Sequence, residues 1–221
     1  MERAKLYGLL ATVFHQEPAP DLLNQLRSPK FQDLLGEIGI DLGDDFFNDP
    51  QDEVRDRLSV EYTYLFLGPG KHIAPHESVQ LKRGSGILWG EETSIVKQFM
   101  LAAGFELDAA AHDIPDHISV ELEFLSHLST KEAEAWQADN HQAAAAALGW
   151  QHRFVSNNIG KWAGRFCRAV EAAAETPFYA QFAKLLRTFI AGEKSEIVDR
   201  LSKIDGKFPS SRSAPSERRL L

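Results

Sequence analysis

Apolar side chains recur at three- and four-residue intervals along most of this 221-residue chain, and no stretch sustains the period-two alternation of β-branched residues that a half-buried strand needs. The pattern predicts an all-α protein, with no parallel-sheet enzyme scaffold visible. Prolines, glycines and capping residues divide it into helices. A first helix runs from Glu2 to His15 and stops at Pro18-Ala19-Pro20, Asp21 caps a second, and Ser28-Pro29 opens a third that ends near Gly36 or Gly39. After the turn-rich stretch Asp41 to Pro50, a longer helix covers Asp52 to Leu67 and ends at Gly68-Pro69-Gly70, and a loop containing Pro75 runs on to Trp89. Gly90-Glu91-Glu92 starts a helix to about Ala103, terminated by Gly104, and Ile114-Pro115-Asp116 introduces one that continues past His127. The alanine run Ala143 to Ala147 leads into a helix carrying Trp150, Phe154, Ile159, Trp162 and Phe166, and a last pair covers Phe178 to Ala191 and Ser195 to Ile204. These segments make a single compact domain of about ten helices over residues 1–206, long enough to bury a core without disulfides or structural metal. Residues 207–221 are rich in Ser, Pro and Arg and poor in apolar groups, which predicts a flexible tail.

Composition removes several classes of function. A net charge of −8 argues against nonspecific nucleic-acid binding, which needs clustered Lys and Arg on phosphates, and it suits a basic partner. The one cysteine, Cys167, can form no intramolecular disulfide and no cysteine zinc cluster, and reads as a small buried apolar residue in a reducing compartment. The stretch MERAKLYGLLATVF has an apolar run too short to span a bilayer and no cleavage site after it, so neither signal peptide nor stable membrane insertion is expected, and the protein is placed in the cytoplasm. There is no internal repeat, no GxxxxGK loop and no GxSxG elbow.

Polar residues in apolar arcs are the more informative signal. In the helix from Asp116, the residues Ile118, Val120, Leu122, Phe124, Leu125 and Leu128 define one broad apolar arc, and His117 and Glu121 fall inside it, whereas Ser119, Glu123, Ser126 and His127 fall outside. An inward carboxylate or imidazole needs a partner, and at four residues' spacing each of His117 and Glu121 can serve the other. In the preceding long helix, Val54, Leu58, Tyr62, Tyr64 and Leu65 set the arc and Glu61 lies within it, a second inward carboxylate in need of a donor. Glu77 and Ser78, after Pro75 and His76, can cap a helix or face a cleft. By ligand type, His72, His76 and Glu77, or His117 and Glu121, suit a zinc or iron site, but HExxH is absent and no third ligand is set by spacing.

The stretch from Glu61 to Gly70, EYTYLFLGPG, followed by Ala74-Pro75-His76-Glu77-Ser78-Val79, closely resembles the first signature of the TorD/DmsD family: an acidic residue, Tyr-x-x-Leu-Phe, a Gly-Pro turn and then Pro-x-Glu-Ser. Pro115-Asp116-His117-Ile118, with Glu121-Leu122-Glu123-Phe124 one turn later, is similar to the second signature, and the aromatic pattern from Trp150 to Tyr179 is similar to the family's C-terminal half, so the resemblance covers roughly Leu6 to Ile204. It implies an all-helical chaperone without catalysis or cofactor of its own, which binds the twin-arginine leader and apo catalytic subunit of a molybdoenzyme until cofactor insertion and export. Weak guanine-nucleotide binding is also reported of some relatives. By that resemblance Tyr62, Leu65, Phe66, Pro75, Glu77, Ser78, Asp116, His117 and Glu121 lie in or beneath the leader-binding cleft, with Asp116, Glu77 and Glu121 supplying charge for the arginine pair and Tyr62, Leu65 and Phe66 the apolar groove. Many relatives carry an aromatic residue where this chain has His76, a group that can add pH sensitivity. The competing expectation is a helical metal- or nucleotide-dependent hydrolase built around His117 and Glu121.

Overall fold

The structure, a computed structural model, describes residues 2–68, 72–81, 88–107 and 114–207, with side chains described as far as residue 203. Among the described residues there are eleven α-helices and no strand: α1 (Glu2–His15), α2 (Pro20–Leu26), α3 (Pro29–Glu37), α4 (Asp44–Asn48), α5 (Gln51–Tyr62), α6 (Glu77–Leu81), α7 (Glu91–Ala102), α8 (Ile118–Gln137), α9 (His141–Asn157), α10 (Ile159–Ala173) and α11 (Pro177–Lys207). A π-helical turn, Thr63–Leu67, continues α5. Pro69 and Gly70 of the first signature and residues 208–221 of the expected tail lie outside the described residues. No helix among the described residues is long and apolar enough to cross a membrane.

Local chemistry accounts for most boundaries. Pro20 and Pro29 occupy first-turn positions of α2 and α3, where a missing N–H costs nothing. Gly39 and Gly104 close α3 and α7 with positive φ (72° and 75°), letting Ile40 N–H and Phe105 N–H reach back to the Leu35 and Met100 carbonyls. The N-cap of α2 is Ala19, with Asp21 in the first turn, because Pro20 already fits helical φ.

Two expected divisions move. The helix expected to carry Trp150 through Phe166 is broken at Asn158 (φ −120°, ψ −103°) into α9 and α10. The expected pair at the C-terminus is instead the continuous 31-residue α11. Gly192 does not interrupt it, because the next residue, Glu193, is buried and held by Arg3 and Tyr7.

The core lies where α8 packs on α1 and α9, and α11 packs on α9 and α10. Its largest fully buried side chains are aromatic, Trp162, Tyr7, Tyr179, Phe14, Phe124, Phe154 and Phe166 among them, as the sequence pattern implied. Cys167 is buried beside them, and burial pushes its thiol up to about 12, so it packs as an apolar residue. At one pole, Arg3 donates to Glu193 (3.0 Å), Glu132 (2.8 Å) and Gln151 (2.8 Å), while Tyr7 donates to Glu193 (2.6 Å). This buried network ties α1 to α8, α9 and α11.

Candidate functional site

The opposite pole holds both signature segments. Ile73 N–H donates to the Leu65 carbonyl of the π turn (2.7 Å), and the chain then runs beside the start of α8. Ile118 N–H donates to the Pro75 carbonyl (2.8 Å), Glu77 N–H donates to the Asp116 carbonyl (2.9 Å), and His76 and His117 pair as an antiparallel bridge. Asp116 is wholly buried and committed: its Oδ2 accepts from Ser78 N–H (2.8 Å) in the first turn of α6, and its Oδ1 from the Thr93 hydroxyl of α7 (3.0 Å). One carboxylate thereby caps a helix and clamps a second one.

Next to it, Glu77 and Glu121 are buried with their carboxyls hydrogen-bonded to each other. Glu77 Oε2 also accepts from Asn158 Nδ2 (3.4 Å), and Glu121 Oε2 from Trp162 Nε1 (3.3 Å). Burial pushes the Glu77 carboxyl up to about 7, with Asp116 adding repulsion; burial and Glu77 together push Glu121 well above the usual carboxylate range. Burial and mutual repulsion thus favour keeping at least one carboxyl of the pair protonated. Glu121 Oε1 and the Ser78 hydroxyl take no hydrogen bond from any amide, hydroxyl or ring N–H among the described residues.

His117 is the N-cap of α8, and its Nδ1 accepts from Ser119 N–H (3.2 Å) and lies 2.7 Å from the Ser119 hydroxyl, which also meets His15 Nδ1 at 3.2 Å. Burial, then the neighbouring His76 and His15, lower its pKa to about 3, so the ring is neutral. The expected partnership of His117 with Glu121 does not form, because a residue at the cap turns its side chain back over the first N–H groups rather than along the helix. Ser119, expected on a solvated face, is buried: the first turn of α8 is enclosed by α1 and the segment before α6 and has no solvent side. Among the described residues no group of three or more His, Cys, Asp or Glu side chains is placed to hold a metal ion. His117 and Glu121, on which the alternative hydrolase expectation rests, turn to different partners, Ser119 for the one and Glu77 and Trp162 for the other.

The second inward carboxylate finds its donors at the far end of the chain. Glu61 Oε1 accepts from the Glu175 and Thr176 N–H groups (2.7 and 2.9 Å) and Oε2 from the Thr176 hydroxyl, capping the approach to α11. Tyr62 donates to the His15 carbonyl (2.9 Å), and Phe66 meets the rings of Phe14, Tyr62, Phe166 and Tyr179 at centroid distances of 4.9–6.3 Å. Leu65, Pro75 and Ser78 are buried as well. Of the nine residues drawn from the signatures, eight are buried and His117 is half-buried; they form one connected layer.

What faces solvent over this layer is a set the helical count had missed. Val60, Tyr64 and Leu67 are 71%, 62% and 63% exposed. Tyr64 was expected in the apolar arc, but it lies two residues from Tyr62, about 200° around a helix, and so points away from the core. The spacing i, i+4, i+7 was the available signal. The same outer face carries exposed Glu53 and Asp56, two turns and one turn before Val60. It thus runs from an acidic end to an apolar end.

Comparison with known proteins follows the same lines. The family model described as nitrate reductase delta subunit matches residues 19–168. The chain is 24% identical over 218 residues to a chaperone protein TorD of Shewanella pealeana, covering 90% of this chain and 91% of that protein. It is 25% identical over 199 residues to a chaperone protein TorD of Vibrio parahaemolyticus, covering 85% and 91%. Its fold is shared with the crystal structure of a protein described as a redox enzyme maturation protein from Archaeoglobus fulgidus, with TM-score 0.53 and 24% identity over 86% of this chain and 94% of that one.

Proposed function

The chain belongs to the nitrate reductase delta subunit family, that of the TorD-like redox enzyme maturation chaperones, and from this premise we propose that it binds the twin-arginine leader and apo form of one molybdenum-cofactor oxidoreductase. It acts in the cytoplasm, holds that subunit for cofactor insertion before export, and performs no chemistry of its own. The observation that carries this reading is the outer face of α5 and the π turn, where the carboxylates of Glu53 and Asp56 are followed by the exposed apolar side chains of Val60, Tyr64 and Leu67. A leader presents an arginine pair followed by an apolar stretch, and such a peptide asks for charge-assisted hydrogen bonds beside an apolar surface. Exposed large apolar side chains clustered on one face otherwise cost solubility.

In this proposal Tyr62, Leu65, Phe66, Pro75, Glu77, Ser78, Asp116, His117 and Glu121 act from beneath: they hold α5, α6 and the start of α8 in register so that the outer face keeps its shape. The Ser78 hydroxyl, which has no hydrogen-bond partner among the described residues, leaves acceptor capacity in that layer for a guanidinium that penetrates it. The test is co-purification of the tagged protein from its native cells under respiratory conditions, with bound proteins identified by mass spectrometry. A Tyr64→Ser/Leu67→Ser variant, which alters only exposed side chains, is run alongside an Asp116→Ala/His117→Ala variant. Enrichment of one leader-bearing molybdoenzyme subunit by the parent protein, lost in the folded surface variant, is the expected outcome. Absence of any such subunit under conditions that express one overturns the proposal.

A further inference from the structure

Residues 208–221 carry three arginines, Arg212, Arg218 and Arg219, against one acid, Glu217, in a chain of net charge −8. They include Arg218-Arg219-Leu220-Leu221, an arginine pair followed directly by an apolar pair. The outer face of α5 and the π turn offers the complementary order, Glu53 and Asp56 and then Val60, Tyr64 and Leu67. Arg57 on this face is engaged by Asp49 (3.0 Å) and Asp56 by its neighbour Arg55 (2.9 Å), both exposed pairs that a competing guanidinium exchanges at small cost.

Geometry decides whose segment can reach. The start of α11 sits against α5, with Tyr179 donating to the Leu58 carbonyl (3.3 Å) and Glu61 capping Glu175 and Thr176. The later turns of α11 lie at the other pole, where Glu193 holds Arg3 and Arg200 holds Glu132. At 1.5 Å per residue, Lys207 is about 42 Å from Tyr179 along the helix. The eleven peptide units from Lys207 to Arg218 span at most about 40 Å fully extended. A segment of this length would be stretched to its limit merely to retrace α11 toward its own α5, which favours a second copy as its source.

We infer that the Arg218-Arg219-Leu220-Leu221 segment of a second copy docks on the outer face of α5 and the π turn, so that two chains occlude each other's faces. Exchange in both directions closes a two-fold dimer, and exchange in one direction builds open chains. The self-association stands on the complementarity and reach above. Its further consequence, that a leader must displace the segment, rests on the proposed leader-binding function.

The full-length protein is tested by sedimentation velocity over a wide concentration range, beside a tail variant (Arg218→Ser/Arg219→Ser/Leu220→Ser/Leu221→Ser) and the face variant Tyr64→Ser/Leu67→Ser. Circular dichroism checks that all three are folded. The parent is expected to self-associate and both variants to lose that association. An equimolar mixture of the two variants regains part of it, since one intact segment then meets one intact face. A parent that stays monomeric throughout, or a tail variant that associates as the parent does, overturns the inference. A labelled synthetic peptide of residues 207–221 is then bound to the tail variant and challenged with the leader of the co-purified client. Displacement supports both statements. Peptide binding without displacement leaves the docking standing and refutes the shared leader site, whereas leader binding without peptide binding refutes the docking alone.

Discussion

Replacing Glu77 by Gln is expected to stabilise the protein at alkaline pH and to leave it nearly unchanged in acid. Glu77 is 3% exposed, bonded to the Glu121 carboxyl, and its pKa is pushed by burial from the ordinary 4.5 to about 7. A carboxyl whose pKa is higher folded than unfolded contributes stability that is full below the unfolded value and is lost as pH rises through the folded one. At about 1.4 kcal/mol per unit, the rise corresponds to ~3 kcal/mol lost between pH 4.5 and somewhat above pH 7. Gln presents the same shape with no charge: its carbonyl oxygen can accept from Asn158 while its NH2 donates to the Glu121 carboxyl. The difference between variant and parent should therefore stay within about 1 kcal/mol at pH 5 and grow to about 3 kcal/mol in the variant's favour at pH 8.5. Urea titrations at a series of pH values measure this directly, as a midpoint that moves with pH in the parent and moves less in the variant. Two stability curves running parallel from pH 5 to pH 8.5 would refute the protonated carboxyl pair, because they would mean that Glu77 titrates alike in the folded and unfolded chain.

His117 should act in the opposite sense. Its pKa is lowered to about 3 by burial and by His76 and His15, so its contribution is full above pH 6.5 and is lost as pH falls through that value toward 3; His117→Gln, which keeps an acceptor for Ser119 N–H, should lose less stability than the parent over that range when acid unfolding is followed by near-UV circular dichroism. At the other pole, Arg3→Ala leaves Glu193 buried without its guanidinium, while Glu132 keeps Arg200, and should cost about 3–5 kcal/mol, seen as a lowered Tm in calorimetry. An unchanged Tm would mean that the buried carboxylates find other partners.

Several elements were legible residue by residue. The bounds of α1 follow from an apolar period ended by Pro18-Ala19-Pro20, and those of α3 from Ser28-Pro29 at one end and Gly39 at the other. The inward Glu61 and Glu121 were legible too, since a single apolar arc identifies any polar residue inside it. What the arc could not supply was the partner. Glu61 is satisfied by N–H groups of residues 175 and 176, and Glu121 by Glu77 and Trp162, none of them on its own helix. The expected His117–Glu121 pair came from assuming that a partner lies one turn away.

The placement of the signature residues was likewise out of reach from one strand of text. Tyr62, Leu65, Phe66, Glu77, Ser78 and Asp116 are spread over two segments, and their common burial depends on the 72–77 stretch docking beside α8 and on α10 and α11 closing over the aromatic cluster. A periodicity count tells inside from outside only for a helix with one solvent face. The start of α8 has none, which is why Ser119 is buried, and α5 passes into a π turn with Tyr64 outward, which is why the exposed stripe was missed.

By itself the sequence determined the all-helical class, most helix boundaries, and the family resemblance carried by two ordered motifs. These depend on contacts within a few residues: caps, proline and glycine geometry, and the 3.6-residue period. Only the tertiary structure decided that eight of the nine motif residues are buried, that the Glu77 and Glu121 carboxyls meet in the core, and that Val60, Tyr64 and Leu67 face solvent. Such outcomes depend on which distant segments exclude water from a side chain and which donors they bring, and no local pattern encodes that.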